Sequence, residues 1–316
     1  MNPNNKFNHI ASVYWVFTQL CNDKCDHCYN FSGPQGSRIS EADCLAIIDN
    51  LPDSMDRIIL SGGEPLAEKQ KLYLILDALK SKYGNTTQIM LQTNGDLLTG
   101  EILDVLIAKG VTRFDVASID RFHKAAGARL TELAELFDSR GVNGEEKDPL
   151  VKKDNYLHAF PLSWGYWGAT EDMWLGGNWA RGRAYEKGLW KQDPQHNFCG
   201  ILSGAIGFLN GGPDIPQEVS IQLWAVNPCC PGTKEPMGDA RTQKVADILA
   251  RVADHPVFQA LDKGDPWAMG EVLGISKLDA ERRCGELGNV CLWCDEFFDK
   301  HFDMKTLQKK TDHSLS

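Results

Sequence analysis

The first half of the chain alternates between two hydrophobic periods. Val13, Tyr14, Trp15, Val16 and Phe17 form a continuous β-prone apolar run, the pattern of a buried strand. A Gly/Ser/Pro-bearing connection from Phe31 to Arg38 follows, and Ser40 with Asp43 three residues on predicts a capping box that opens a helix. Cys44, Ile47, Ile48 and Leu51 then recur at i, i+3, i+4 and i+7, so they share a buried face and Cys44 is expected in the core. The unit repeats. Arg57 to Ser61 predicts a second strand, with a helix behind it that turns Leu72, Ile75 and Leu79 inward. Gln88 to Gln92 predicts a third strand, followed by a helix over Ile102, Leu103 and Leu106 that stops at Gly110. Val111 to Ser118 predicts a fourth, followed by a helix through Leu130, Leu133 and Leu136 that stops near Gly141.

Strand, polar loop and helix in succession predict an α/β fold of parallel strands with crossover helices, a partial TIM-type barrel of about five or six strands. Such a fold keeps its active site at the carboxyl ends of the strands. The charged stretch from Asn143 to Asn155 reads as a solvated loop, and Leu157 to Ser163 as a fifth strand. Trp164 to Trp190 holds five tryptophans and many glycines, aromatics expected mainly in the core. Beyond Trp190 the period changes. The expected division is a barrel over residues 1–195, a small cysteine-bearing domain over 196–300 and a tail over 301–316.

Length and composition narrow the possibilities. The 316 residues are 42% hydrophobic, enough for a sizeable core, and 33 basic against 43 acidic side chains give a net charge of −10. No basic run stands out to neutralise a phosphate backbone, so nucleic acid is not an expected partner. No apolar run reaches the ~20 residues of a membrane helix, and Met1 to Lys6 lacks the apolar segment of a secretory signal. A cytoplasmic, membrane-free protein is expected, and its ten cysteines then point to metal ligation or catalysis rather than disulfides.

The candidate chemistry sits where the strands end. After the first strand, Cys21, Cys25 and Cys28 form CxxxCxxC, three thiols in one loop that suit iron or zinc. Gly62-Gly63-Glu64-Pro65 follows the second strand, Thr93-Asn94-Gly95 the third, and Ser118 with Asp120 the fourth. This ordered set resembles the radical S-adenosylmethionine (radical SAM) superfamily over roughly residues 10 to 190. The resemblance implies that Cys21, Cys25 and Cys28 hold a 4Fe-4S cluster whose open iron is chelated by SAM. Reduction would cleave SAM to a 5'-deoxyadenosyl radical. It also implies that Gly62 and Gly63 let the backbone approach the methionine moiety, and that Glu64 pairs with its ammonium. Gln92, Asn94, Ser118 and Asp120 are expected around the cofactor, His27 near the adenine with Tyr29 after it, and Arg183 on the SAM carboxylate. A reductant such as flavodoxin or ferredoxin is the implied partner.

Six further cysteines follow: Cys199, Cys229, Cys230, Cys284, Cys291 and Cys294. Cys229-Cys230 lies after a β-like run from Val219 to Val226, and Cys291 and Cys294 form a CxxC. This layout resembles the twitch or SPASM-type auxiliary-cluster domains of radical SAM enzymes. It implies one auxiliary 4Fe-4S cluster on Cys199, one of Cys229 and Cys230, Cys291 and Cys294, with zinc as the rival metal. The remaining thiol of the Cys229/Cys230 pair is a candidate hydrogen donor, and Cys284 is spare. Abstraction of hydrogen from an unactivated C–H bond is expected, ending in epimerisation through a cysteine or in oxidation through the auxiliary cluster. With no leader-binding segment ahead of the first strand, a sugar or aminocyclitol-like small molecule is the expected substrate. Peptide modification, and a non-catalytic iron-sulfur electron carrier, are the alternatives.

Overall fold

A computed structural model describes residues 5–116, 128–144, 162–166, 175–212 and 214–307. Strands β1 (His9–Thr18), β2 (Ser54–Gly62), β3 (Gln88–Thr93) and β4 (Val111–Val116) alternate with helices α1 (Glu41–Asn50), α2 (Lys69–Tyr83) and α3 (Gly100–Ala108), and α4 (Ala128–Asp138) follows β4. The four strands lie side by side and parallel, as strand–helix–strand units dictate. Local chemistry fixes the helices. The Ser40 hydroxyl accepts the Asp43 N–H at 3.0 Å while the Asp43 carboxylate accepts the Ser40 N–H at 3.2 Å, the expected capping box. Behind it Cys44, Ile47 and Ile48 are buried against the sheet, and Cys44 is a core residue.

Beyond β4 the sequence and the structure part in two places. Of the stretch expected as a fifth strand, residues 157–161 lie outside the described residues, and the strand found there, β6 (Ser163–Tyr166), begins at its last residue and pairs parallel with β4. A two-residue strand β5 (Asn143–Gly144) lies on its other side. The second difference concerns the run expected beyond residue 195. Strand β7 (Glu218–Gln222) pairs parallel with β1, then turns into β8 (Ala225–Asn227) and β9 (Gly238–Asp239). One open nine-stranded sheet results, in the order β5-β6-β4-β3-β2-β1-β7-β8-β9, a partial barrel. Val219 and Ile221 of β7 are fully buried, and pairing satisfies the edge of β1 that would otherwise present open backbone groups.

Helices α5 (Gly182–Glu186), α6 (Val245–Val252), α7 (Pro256–Asp262), α8 (Lys277–Leu287) and α9 (Val290–Lys300) complete the described chain. Asn289 caps α9 by accepting the Cys291 N–H at 2.8 Å, and Trp293 anchors it by donating to the Pro266 carbonyl at 3.0 Å. No helix among the described residues is long and apolar enough to cross a membrane.

Candidate active site

Where β1 ends, its chain bends into the cysteine loop. Cys21, Cys25 and Cys28 line a cavity at the carboxyl ends of the strands. The loop is held by its own backbone and side chains: the Cys21 N–H donates to the Gly33 carbonyl at 3.0 Å and the Cys28 N–H to the Cys25 carbonyl at 3.3 Å. Cys28 Sγ donates to Asn30 Oδ1 at 3.0 Å and Cys25 Sγ to Asp23 Oδ2 at 3.4 Å. Burial pushes the Cys21 thiol up to about 11 and, with the Asp23 charge beside it, the Cys25 thiol to about 12. Sulfurs in such surroundings surrender their protons to a metal rather than to water.

Other features of the wall fit a soft metal cluster and a polar cofactor. Asn30 Nδ2 and Gln92 Oε1 are buried at the cavity and have no hydrogen-bond partner among the described residues, a cost that a polar ligand would relieve. Among the described residues no group of three or more His, Cys, Asp or Glu side chains is close enough to hold one metal ion.

The Gly-Gly-Glu stretch plays a different part from the one expected. A Cβ on Gly62 would stand 2.7 Å from the Thr18 carbonyl oxygen, and one on Gly63 2.5 Å from that of Leu20. The glycines are therefore required by the close approach of the β2 turn to the end of β1, where the Gly63 and Glu64 N–H groups donate to Thr18 and Leu20 at 2.8 Å each. Both still line the cavity. Glu64 does not. Its fully buried carboxylate accepts the Leu66 N–H at 2.9 Å, the Thr93 hydroxyl at 2.8 Å and the Asn94 N–H at 2.7 Å, tying the β2 turn to the end of β3. Burial raises it to about 6. Asn94, so placed, lines the cavity and donates to Asn22 of the cysteine loop at 2.9 Å.

His27, Tyr29 and Gln92 line the cavity. Arg183 lines it too, but its Nε donates to the Cys25 carbonyl at 2.8 Å and a terminal nitrogen to the Ser32 carbonyl at 2.6 Å. The guanidinium is thus committed to shaping the cysteine loop, which removes the reason to assign it first to a cofactor carboxylate. Ser118 and Asp120 lie outside the described residues.

A second, narrow cavity of about 30 Å³ shares Tyr14, Tyr29, Gln92 and Trp179 with the first and extends into the barrel toward Arg57, Glu218 and Cys230. Arg57 and Glu218 form a buried ion pair at 3.4 Å. Cys230 faces this space. The Tyr29 hydroxyl lies 3.5 Å from its sulfur and 3.4 Å from the Tyr14 hydroxyl, which donates to Ser61 at 2.9 Å. Burial raises Cys230 to about 12, so it carries its proton at neutral pH.

Adjacent in sequence, Cys229 turns the other way. Its thiol is raised to about 12 by burial and then by the nearby Cys291, and the charges of Cys294, Cys291 and Cys229 act on Cys199 after burial. Cys199, Cys229, Cys291 and Cys294 thus share one electrostatic neighbourhood with Arg181 and Asp295, although no three of the described His, Cys, Asp or Glu side chains are close enough to hold a single metal ion. Of the pair left open by the sequence, Cys229 joins the four-thiol group and Cys230 the barrel interior. Cys284 is fully buried on α8, its sulfur directed at the Pro194 carbonyl at 3.4 Å.

Tyr14, Ser61, Asn30 and Trp179 are among the cavity residues that the sequence did not single out. Tyr14 offered a signal, a hydroxyl on an otherwise apolar strand, and strand alternation puts it on the face opposite Val13 and Trp15. Trp179 gave none. Only the fold brings it to within 4.9 Å of the Tyr29 ring, edge to face.

Residues 15–124 match the Radical SAM superfamily. That stretch is a radical SAM domain, the kind whose cofactors are SAM and a 4Fe-4S cluster. The AdoMet-dependent heme synthase of Methanosarcina barkeri is 34% identical over 113 residues, which make up 34% of this chain and 30% of that protein. The chain thus aligns with less than a third of the length of the curated relatives it matches. Similar solved structures include BtrN in complex with AdoMet and 2-DOIA, at a TM-score of 0.48 and 16% identity over 81% of this chain and 88% of that one. Another is anSMEcpe with bound AdoMet and Cp18Cys peptide, at a TM-score of 0.49 and 12% identity over 96% and 99%.

Proposed function

We propose that this radical SAM enzyme epimerises a C–H centre of a small polar molecule held where the two cavities adjoin, and that Cys230 returns the hydrogen. The observation that carries the reading is the position of Cys230, alone in the barrel interior beside Tyr29 and apart from the four-thiol group. When bound, SAM and its cluster supply a carbon radical able to take hydrogen from an unactivated C–H bond. Cys21, Cys25 and Cys28 would hold the cluster, with Gly62, Gly63, Gln92, Asn94, His27 and Tyr29 around SAM. Cys199, Cys229, Cys291 and Cys294 would hold one auxiliary 4Fe-4S cluster.

The protein's own part is placement. Cys230 is fixed by its N–H donating to Ser203 at 2.9 Å and its carbonyl accepting from Gln222 at 2.6 Å. From there its S–H bond breaks as a hydrogen atom passes to the substrate radical, on the face opposite to the one attacked. The resulting sulfur radical is restored to a thiol by one electron and one proton, the electron from the low-potential reductant protein that feeds the enzyme. Arg57, Glu218 and Gln92 provide polar groups suited to hydroxyl or amino substituents, the chemistry of a sugar or aminocyclitol.

The test is turnover in D2O with SAM and dithionite against a panel of sugars, aminocyclitols and short peptides. Solvent deuterium is expected at one carbon of a sugar or aminocyclitol with the wild type. Cys230→Ser should still release 5'-deoxyadenosine yet incorporate no deuterium. A product two hydrogens lighter, formed equally by both proteins, would assign dehydrogenation instead.

A further inference from the structure

Arg181 is a half-buried cation that the proposed reaction does not use. It precedes α5, and its guanidinium meets Asp295 at 2.9 Å and donates to the Cys291 carbonyl at 3.0 Å and the Ala180 carbonyl at 3.2 Å. The sulfurs of Cys291, Cys294 and Cys229 act on it electrostatically, as does the Asp295 carboxylate. Two residues further on, the backbone of the same segment holds the other thiol set: the Arg183 and Ala184 N–H groups both donate to the Cys28 carbonyl, at 2.8 and 3.3 Å. Residues 181–184 therefore bond to a ligand loop at each end.

We propose that Arg181 is a positioning residue that sets the reduction potential of the auxiliary cluster, an inference that rests on the reading of Cys199, Cys229, Cys291 and Cys294 as its ligands. A cluster on four thiolates becomes more negative on reduction, and its potential follows net charge, hydrogen bonding and exposure. A fixed cation in a desolvated wall favours the reduced state, because Coulomb terms grow as the local dielectric falls. Asp295 opposes it. Its side chain is 32% exposed against 13% for Arg181, so the cation is the less screened of the two. The segment also gives a short bonded route between the two sites, from the Cys28 carbonyl through Arg183 and Gly182 to the Arg181 guanidinium and the Cys291 carbonyl.

The experiment is an EPR-monitored redox titration of the full chain carrying Cys21→Ala, Cys25→Ala and Cys28→Ala, reconstituted anaerobically so that only the auxiliary site is filled. Arg181→Gln should titrate at a more negative potential, Arg181→Lys should return toward the parent, and Asp295→Asn should move in the positive direction. Equal potentials in the parent and Arg181→Gln, with the same iron content, overturn the inference. Should Arg181→Gln lose its iron, the Asp295→Asn titration decides alone, and an unmoved potential there overturns it. A parent protein that binds no iron overturns the auxiliary-cluster reading instead, which keeps the two failures distinct.

Discussion

Glu64 is a carboxylate whose work is structural although it stands in a cofactor motif. Three donors converge on it in a fully buried site, and burial lifts it from 4.5 to about 6. Between those values the folded protein holds a proton that the unfolded chain has released. The contribution of this group therefore falls as pH rises from about 4.5 to 6 and is flat above. Urea unfolding of wild type and Glu64→Gln across that range should give a stability difference that shrinks by roughly 2 kcal/mol, whereas a difference constant with pH would contradict the assignment. The sequence marked Glu64 as a site residue, but its hydrogen bonds join two loops 30 positions apart and no local pattern encodes them. Cys229 and Cys230 teach the same point. Neighbouring side chains diverge, and only the surrounding fold says which one meets Tyr29 and which one meets Cys291.

At the scale of elements, the parts with a local cause were legible and those with a distant cause were not. The capping box at Ser40 and the stripe of Cys44, Ile47 and Ile48 follow from side chains three or four residues apart, and the structure reproduces both. The short helix α5 has a distant cause. Gly182 adopts φ +53°, and a Cβ there would come within 2.4 Å of the Tyr29 carbonyl group, so the segment can press on the cysteine loop only as glycine. Gly182→Ala is expected to cost about 3 kcal/mol or more and to lower the iron held by the first site. Ser40→Ala should cost about 1 kcal/mol and leave iron content untouched. Unfolding midpoints and iron analysis of the two variants check the pair, and equal iron in both would remove α5 from the account of the site.

At the scale of the molecule, the strand-end motifs expected at one barrel mouth meet at one cavity as far as they are described: the cysteine loop, the Gly-Gly turn and Asn94. What the sequence could not supply was the join between the two halves. Strand β7 lies beyond residue 195 yet extends the barrel sheet along β1, a register set by pairing across two hundred residues. Cys230, carried by the turn that follows β8, is thereby brought to the cavity that adjoins the one at the cysteine loop, while Cys291 and Cys294 of α9 act electrostatically on Cys199. Two thiol sets and, at the inner cavity, the thiol of Cys230 are the consequence, while Cys44 and Cys284 are buried elsewhere. The most direct test is iron and sulfide analysis of the anaerobically reconstituted chain together with dithionite-driven SAM cleavage. Two 4Fe-4S clusters, about eight irons per chain, and release of 5'-deoxyadenosine are expected for the wild type, against about four irons and none of that product for the Cys21→Ala, Cys25→Ala, Cys28→Ala variant. A wild type that binds iron without cleaving SAM, or a triple variant that still cleaves it, would contradict the account.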